Sequence, residues 1–144
     1  MESGETDARL LVRPVRQEAR VAWRELMQQH HYLGYEHPLG ESLCYVASRE
    51  GRWVGLLGWG SAALKCGVRD RWIGWEGALQ WRRLRYLANN LRFLILPGGR
   101  EPNLASRLLA LNLQRLSRDG EFYHGHPLLL AETFVDSARF RGTC

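Results

Sequence analysis

Residues Leu91 to Leu116 read LRFLILPGGREPNLASRLLALNLQRL, and their pattern decides the fold class. Phe93, Leu94, Ile95 and Leu96 run apolar without alternation, as a strand covered on both faces does. Pro97, Gly98 and Gly99 break that run. Beyond the break, Leu104, Ala105, Leu108, Leu109, Leu111 and Leu116 recur at helical spacing, with Arg107, Gln114 and Arg118 on the other side. Asn103 is placed as an N-cap and Gly120 as a stop. A strand feeding a helix through a glycine-rich turn is where α/β proteins set a helix N-terminus beside a ligand.

Within that corner, Arg100-Glu-Pro-Asn-Leu-Ala105 is similar to the R-x-x-G-x-A signature of the GNAT acyltransferases, with Asn103 at the glycine position. The resemblance implies a turn whose backbone amides hold the pyrophosphate of coenzyme A, with Gly98, Gly99, Arg100 and Asn103 as its ligand-facing residues. Pro102 brings no N–H and Asn103 adds a side chain, so both reduce that capacity. The expectation is a turn of the right geometry without the cofactor.

At 144 residues and 45% apolar composition the chain suits one domain with a proper core. Residues 1–8 read as a flexible tail, and residues 9–144 as a single domain with a helical insertion at about 61–90. No stretch approaches the roughly 20 apolar residues of a membrane span. The opening MESGETDAR is acidic, unlike a signal peptide. Cys44, Cys66 and Cys144 are scattered, which fits reduced thiols and a cytoplasmic location. The net charge is +5 with Lys65 the only lysine. Arginine reads phosphates bidentately, so the balance suits an anionic partner, although a GC-rich genome produces the same bias.

Leu10 to Pro14 reads as a short strand, followed by a helix from about Arg16 to His30. Ala19, Ala22, Trp23, Leu26, Met27 and His30 share one helical face, which aims His30 at the protein body as a candidate acid or base. Ser42–Arg49 and Arg52–Gly60 form a hairpin across Glu50-Gly51, with Trp53, Gly55, Leu57 and Trp59 on one side. The insertion holds Arg69-Asp-Arg-Trp-Ile-Gly-Trp75 and a helix expected from Glu76 to Asn89. Arg69, Arg71, Arg82, Arg83 and Arg85 interleave there with Trp81 and Tyr86, and Trp81 and Arg85 stand at i and i+4. Guanidinium groups among aromatic rings are what phosphate contact plus base stacking requires. The alternative is arginine laid over aromatic surface with nothing bound.

Pro127 to Val135 is an apolar strand interrupted by Glu132. A carboxylate there either pairs with an arginine or histidine, or titrates upward and serves as an acid/base. Asp136 at the strand's end and Asp70 in the insertion are the further carboxylates of a candidate site. His124-Gly-His126 lacks a second pair at zinc-like spacing, and no C-x-x-C, G-x-S-x-G or P-loop is present, so no metal and no cofactor is assigned.

Several segments together resemble the bacterial DruA-like family: His31-Tyr-Leu-Gly34, Arg69-Asp70 with Ile73-Gly-Trp75, Asn90 with Arg92-Phe-Leu-Ile-Leu-Pro97, Asn103-Leu-Ala-Ser106, Glu132-Thr-Phe-Val-Asp136, and Phe140 with Gly142-Thr-Cys144. The resemblance covers nearly the whole chain after the tail. It implies a protein of the Druantia anti-phage defence system, whose relatives often carry transposase labels. Similar proteins continue beyond the Gly-Thr-Cys motif, so the expected domain is incomplete at its C-terminal end.

The expected fold is an α/β, GNAT-like three-layer domain with a mixed central sheet, whose last crossover is parallel and right-handed. The expected function is a DNA-directed domain of a defence or mobile-element protein, with nucleic acid and companion defence proteins as partners. Asp70, Glu132, Asp136 and His30 are its candidate catalytic residues. The competing readings are a GNAT-like acyltransferase and a non-catalytic subunit of a defence complex.

Overall fold

A computed structural model describes residues 9–38, 40–62, 66–98 and 101–133. Strands β1 (Leu11–Pro14), β2 (Ser42–Arg49), β3 (Arg52–Ser61), β4 (Leu87–Ile95) and β5 (Leu130–Thr133) form one sheet in sequential order. The first three pairings are antiparallel, and β4 pairs β5 in parallel. The β2–β3 hairpin turns at Glu50 and Gly51, whose φ angles of 54° and 76° are what a two-residue turn between twisted strands demands. At the β1 edge, Pro14 and the bond from Arg115 Nη1 to the Val12 carbonyl, 2.9 Å, blunt further strand pairing.

The helices are α1 (Arg20–His30, entered through a 3-10 turn at Gln17–Ala19), α2 (Gly67–Ile73), α3 (Gly77–Arg83) and α4 (Leu104–His124). Two apolar clusters make this a three-layer α/β domain, as the sequence pattern predicts. On one face, Leu104, Leu108 and Leu116 of α4 meet Tyr45, Leu57, Trp59 and Ala88. On the other, Trp23 and Met27 of α1 meet Val15, Val46, Leu56 and Leu96. Glycines in β3 make this packing close: a Cβ at Gly55 would lie 2.5 Å from Leu108, and one at Gly58 would lie 3.3 Å from the Trp23 ring.

Several expected boundaries shift. The register passes from Ala47↔Gly55 to Ser48↔Trp53, so Val54 is a bulge residue. Trp53 therefore packs with the α1 cluster instead of sharing a side with Leu57 and Trp59. The expected helix 76–89 stops at Arg83; a 3-10 turn covers Leu84–Tyr86 and β4 already begins at Leu87. Pairing with β3 through Gly60↔Asn89 overrides the local pattern. Gly120 does not stop α4, which runs on to His124 and ends at Gly125, φ 78°. Gly120 instead makes room for the chain leading into β5, since a Cβ there would meet Leu128 at 2.8 Å.

Candidate functional site

The insertion between β3 and β4 is two short helices that could not bury themselves alone. A carboxylate joins them. Asp70 accepts hydrogen bonds from the Cys66 amide (3.3 Å), Arg69 Nε (3.1 Å), the Trp75 indole (3.1 Å) and Gln80 Nε2 (3.1 Å). It thus fastens the start of α2, the interhelical loop and α3 to one point. Partial burial alone would raise the Asp70 carboxyl, but these donors outweigh it and hold it below the usual carboxylate range.

Arg69 carries the tie inward. It is 7% exposed, and its Nη1 donates to both oxygens of Glu132 in β5, at 3.0 and 3.2 Å. Burial would lower the Arg69 guanidinium, but its bonds to Glu132 and Asp70 prevail and raise it. Of the two fates open to Glu132, the structure shows the ion pair. Arg69, expected on a nucleic-acid surface, lies instead buried between two carboxylates.

What this clamp leaves outside is aromatic and cationic. Trp72 and Trp81 are 75% and 72% exposed, and Arg71, Arg82 and Arg83 are exposed beside them. Arg85 is also exposed, but it does not stack on Trp81. The helix has already tightened into its 3-10 turn, so the Arg85 guanidinium lies over Tyr86, 5.1 Å from the ring centre, with Nη2 donating to the Tyr86 hydroxyl at 3.0 Å.

The remaining expected site residues are scattered. His30 ends α1 exposed, not aimed at the body, because the buried face closes at Met27. Asp136, Gly99 and Arg100 lie outside the described residues. Gly98 is exposed at φ 96°, and Asn103 adopts φ 61°, the left-handed conformation a glycine would favour and asparagine tolerates. Its side chain makes no capping bond, so it begins the helix by backbone conformation alone.

Glu101 shapes that turn in a way the motif does not foretell. Arg49 Nε lies 2.6 Å and Arg107 Nη1 3.2 Å from the Glu101 carboxylate. Among the described residues, the two arginines at the Glu101 carboxylate are already paired, Pro102 offers no donor, and Asn103 keeps its side chain, so these residues do not fit a pyrophosphate. Calorimetric titration with acetyl-CoA is expected to give no binding at micromolar concentrations. A micromolar or tighter dissociation constant would overturn this reading of the turn.

Among the described residues no group of three or more His, Cys, Asp or Glu could hold a metal ion, and no helix is long and apolar enough to cross a membrane.

A family model described as Druantia protein DruA matches residues 2–144. No curated protein matches the sequence. Among solved structures, the chain is similar to AAC(6')-Iy in complex with the bisubstrate analog CoA-S-monomethyl-acetylneamine. The TM-score is 0.56 at 13% identity, over 89% of this chain and 80% of that one. It is also similar to Arabidopsis thaliana NAA60 in complex with a bisubstrate analogue, with a TM-score of 0.54, 13% identity, and coverage of 76% and 67%. Against the ribosomal-protein-S18-alanine N-acetyltransferase from Escherichia coli the TM-score is 0.49 at 10% identity, over 78% of this chain and 62% of that one. These structural neighbours are GNAT acetyltransferases, and at such identities the likeness shows the fold alone.

Proposed function

We propose, for a chain that belongs to the DruA family, a nucleic-acid-directed role in anti-phage defence, on a GNAT-like scaffold used for binding. The observation that carries this reading is the outward display of Trp72 and Trp81 at 75% and 72% exposure among unburied arginines. Exposing two indoles to water is unfavourable unless something covers them, and flat rings flanked by guanidinium groups suit unpaired bases and phosphates. The clamp through Asp70 and Arg69 gives the surface a fixed shape, which lowers the ordering cost of binding. Phosphate contacts come first and sequence preference is weak.

The test is fluorescence anisotropy with labelled single- and double-stranded oligonucleotides at several salt concentrations. Arg82→Ala with Arg83→Ala is expected to weaken binding evenly across sequences and to flatten the salt dependence by about two units of slope. Trp81→Ala is expected to cost about 1–3 kcal/mol on single strands and little on duplex, because only unpaired bases stack. A double arginine variant that binds like the parent at every salt concentration would remove the support for this role.

A further inference from the structure

Two clefts meet at the end of the sheet where β2 begins and β3 finishes. One, of about 330 Å³, lies beside the insertion and is lined in part by Trp59, Ser61, Leu84 and Arg85. The other, of about 380 Å³, lies against α1 and is lined in part by Arg20, Arg24, Tyr35, His37, Cys44 and Tyr123. Gly40, Glu41, Ser42, Leu43 and His124 line both, so the two form one trough.

The α1 end of this trough is chemically distinctive. Arg20 and Arg24 stand at i and i+4, a like-charged pair that disfavours itself without an anion between or beside it. Neither makes an ion pair among the described residues. Both guanidinium groups act on the floor of the cleft: burial raises the Cys44 thiol, the Tyr35 hydroxyl 3.9 Å away counters that, and so do the charges of Arg20 and Arg24. Among the described residues the one carboxylate on the wall, Glu41, is held by His126 Nε2 at 2.6 Å. His124 Nε2 meets the Ser42 carbonyl at 3.0 Å and exposed His37 lines the same cleft, so among the described residues Arg20 and Arg24 are its permanent cations. Half-exposed Tyr123 and Tyr35 supply aromatic walls.

We propose that the Arg20–Arg24 cleft is a binding site for a phosphate group. Two sources share that chemistry, a mononucleotide or the backbone of a strand that runs along the trough from the insertion. The second source rests on the nucleic-acid reading above; the first does not.

The test titrates the full chain with three probes: dTMP, a labelled dT12 bearing a 5′-phosphate, and the same dT12 with a 5′-hydroxyl. The variant is Arg20→Ala with Arg24→Ala. Its control is Arg9→Ala with Arg118→Ala, which removes equal charge from the groove between β1 and α4. If a mononucleotide is the ligand, dTMP binds the parent and is lost in the α1 variant. If a strand is the ligand, dTMP fails while both dT12 probes weaken about tenfold in the α1 variant and less than twofold in the control. The proposal is overturned if all three probes bind the α1 variant like the parent, or if the control loses as much. Arg82→Ala with Arg83→Ala, measured alongside, separates the two ideas. Loss there with none at α1 leaves the insertion surface standing and removes the cleft.

Discussion

Arg69→Ala is expected to lower the melting temperature by roughly 10 °C. The Arg69 side chain is 5% exposed and that of Glu132 is 12% exposed, so removing the guanidinium leaves a largely desolvated carboxylate with its acceptors unmet. Breaking such a pair costs about 3 kcal/mol, and a chain of this size moves its midpoint by about 3 °C per kcal/mol. Glu132→Gln keeps an acceptor for Nη1 and should cost less. Arg69→Met with Glu132→Leu should cost less than the two separate changes together, because neither charge is then stranded. Thermal melts of the parent, these three variants and the single changes Arg69→Met and Glu132→Leu decide it. A change of under about 2 °C for Arg69→Ala would mean that the insertion is held by something other than this pair.

The acid side of the same network has a fixed sign. The folded Asp70 carboxyl titrates below its unfolded value. Its contribution to stability is complete above the unfolded value, near 3.9, and is lost as pH falls through the lower folded one.

Asp119→Ala should cost as much, by a different route. Asp119 lies buried in α4, accepting from the Tyr45 hydroxyl at 2.7 Å and from Arg115 Nε at 2.7 Å. Arg115 reaches on to the Val12 carbonyl, so one carboxylate links α4 to β1 and β2. Its removal strands a buried hydroxyl and a half-buried guanidinium, an expected loss of about 2–4 kcal/mol. Tyr45→Phe removes the hydroxyl and its need together and should cost nearer 1 kcal/mol. Chemical denaturation of both variants tests the order. If Tyr45→Phe proves the more damaging, the Tyr45 hydroxyl, and not the Asp119–Arg115 pair, is what this link depends on.

The sheet was legible wherever local chemistry determined it. Glu50-Gly51 announces a hairpin, and the apolar run of 93–96 followed by a glycine-rich turn announces a strand and helix. Boundaries set by tertiary pairing were not legible. Leu87-Ala-Asn-Asn90 continues a helical pattern and has no strand-forming residue of its own, so only its pairing with β3 makes it extended. The Val54 bulge is likewise invisible, because alternation read on either side of it is out of phase.

At the site, the aromatic and arginine content of the insertion was readable, and so was the exposure of Trp81. Which arginine would be buried was not. The β5 partner of Arg69 stands 63 positions away, and nothing in the local spacing of Arg69, Arg71 and Arg82 distinguishes them. Asp119 and Asn112 went unnoticed for a related reason. Both sit on the apolar stripe of α4, where a period count passes over polar residues that have partners across the core.

The parallel β4–β5 pair has a consequence in time. Every other strand pairing joins neighbours along the chain antiparallel, whereas β5 waits for α4 to form and cross the sheet. Closing that long loop comes before any contact rewards it, so β5 is expected to dock last. Its arrival brings the Leu129 amide to the Tyr86 carbonyl at 2.7 Å and Glu132 to Arg69, two moorings on the insertion made at one moment. Until then the arginine that will be buried is still in water. Pulse-labelled amide exchange during refolding should show Leu129 gaining protection after Leu96, whose amide donates to the Val54 carbonyl; simultaneous protection would mean that the sheet closes in a single step.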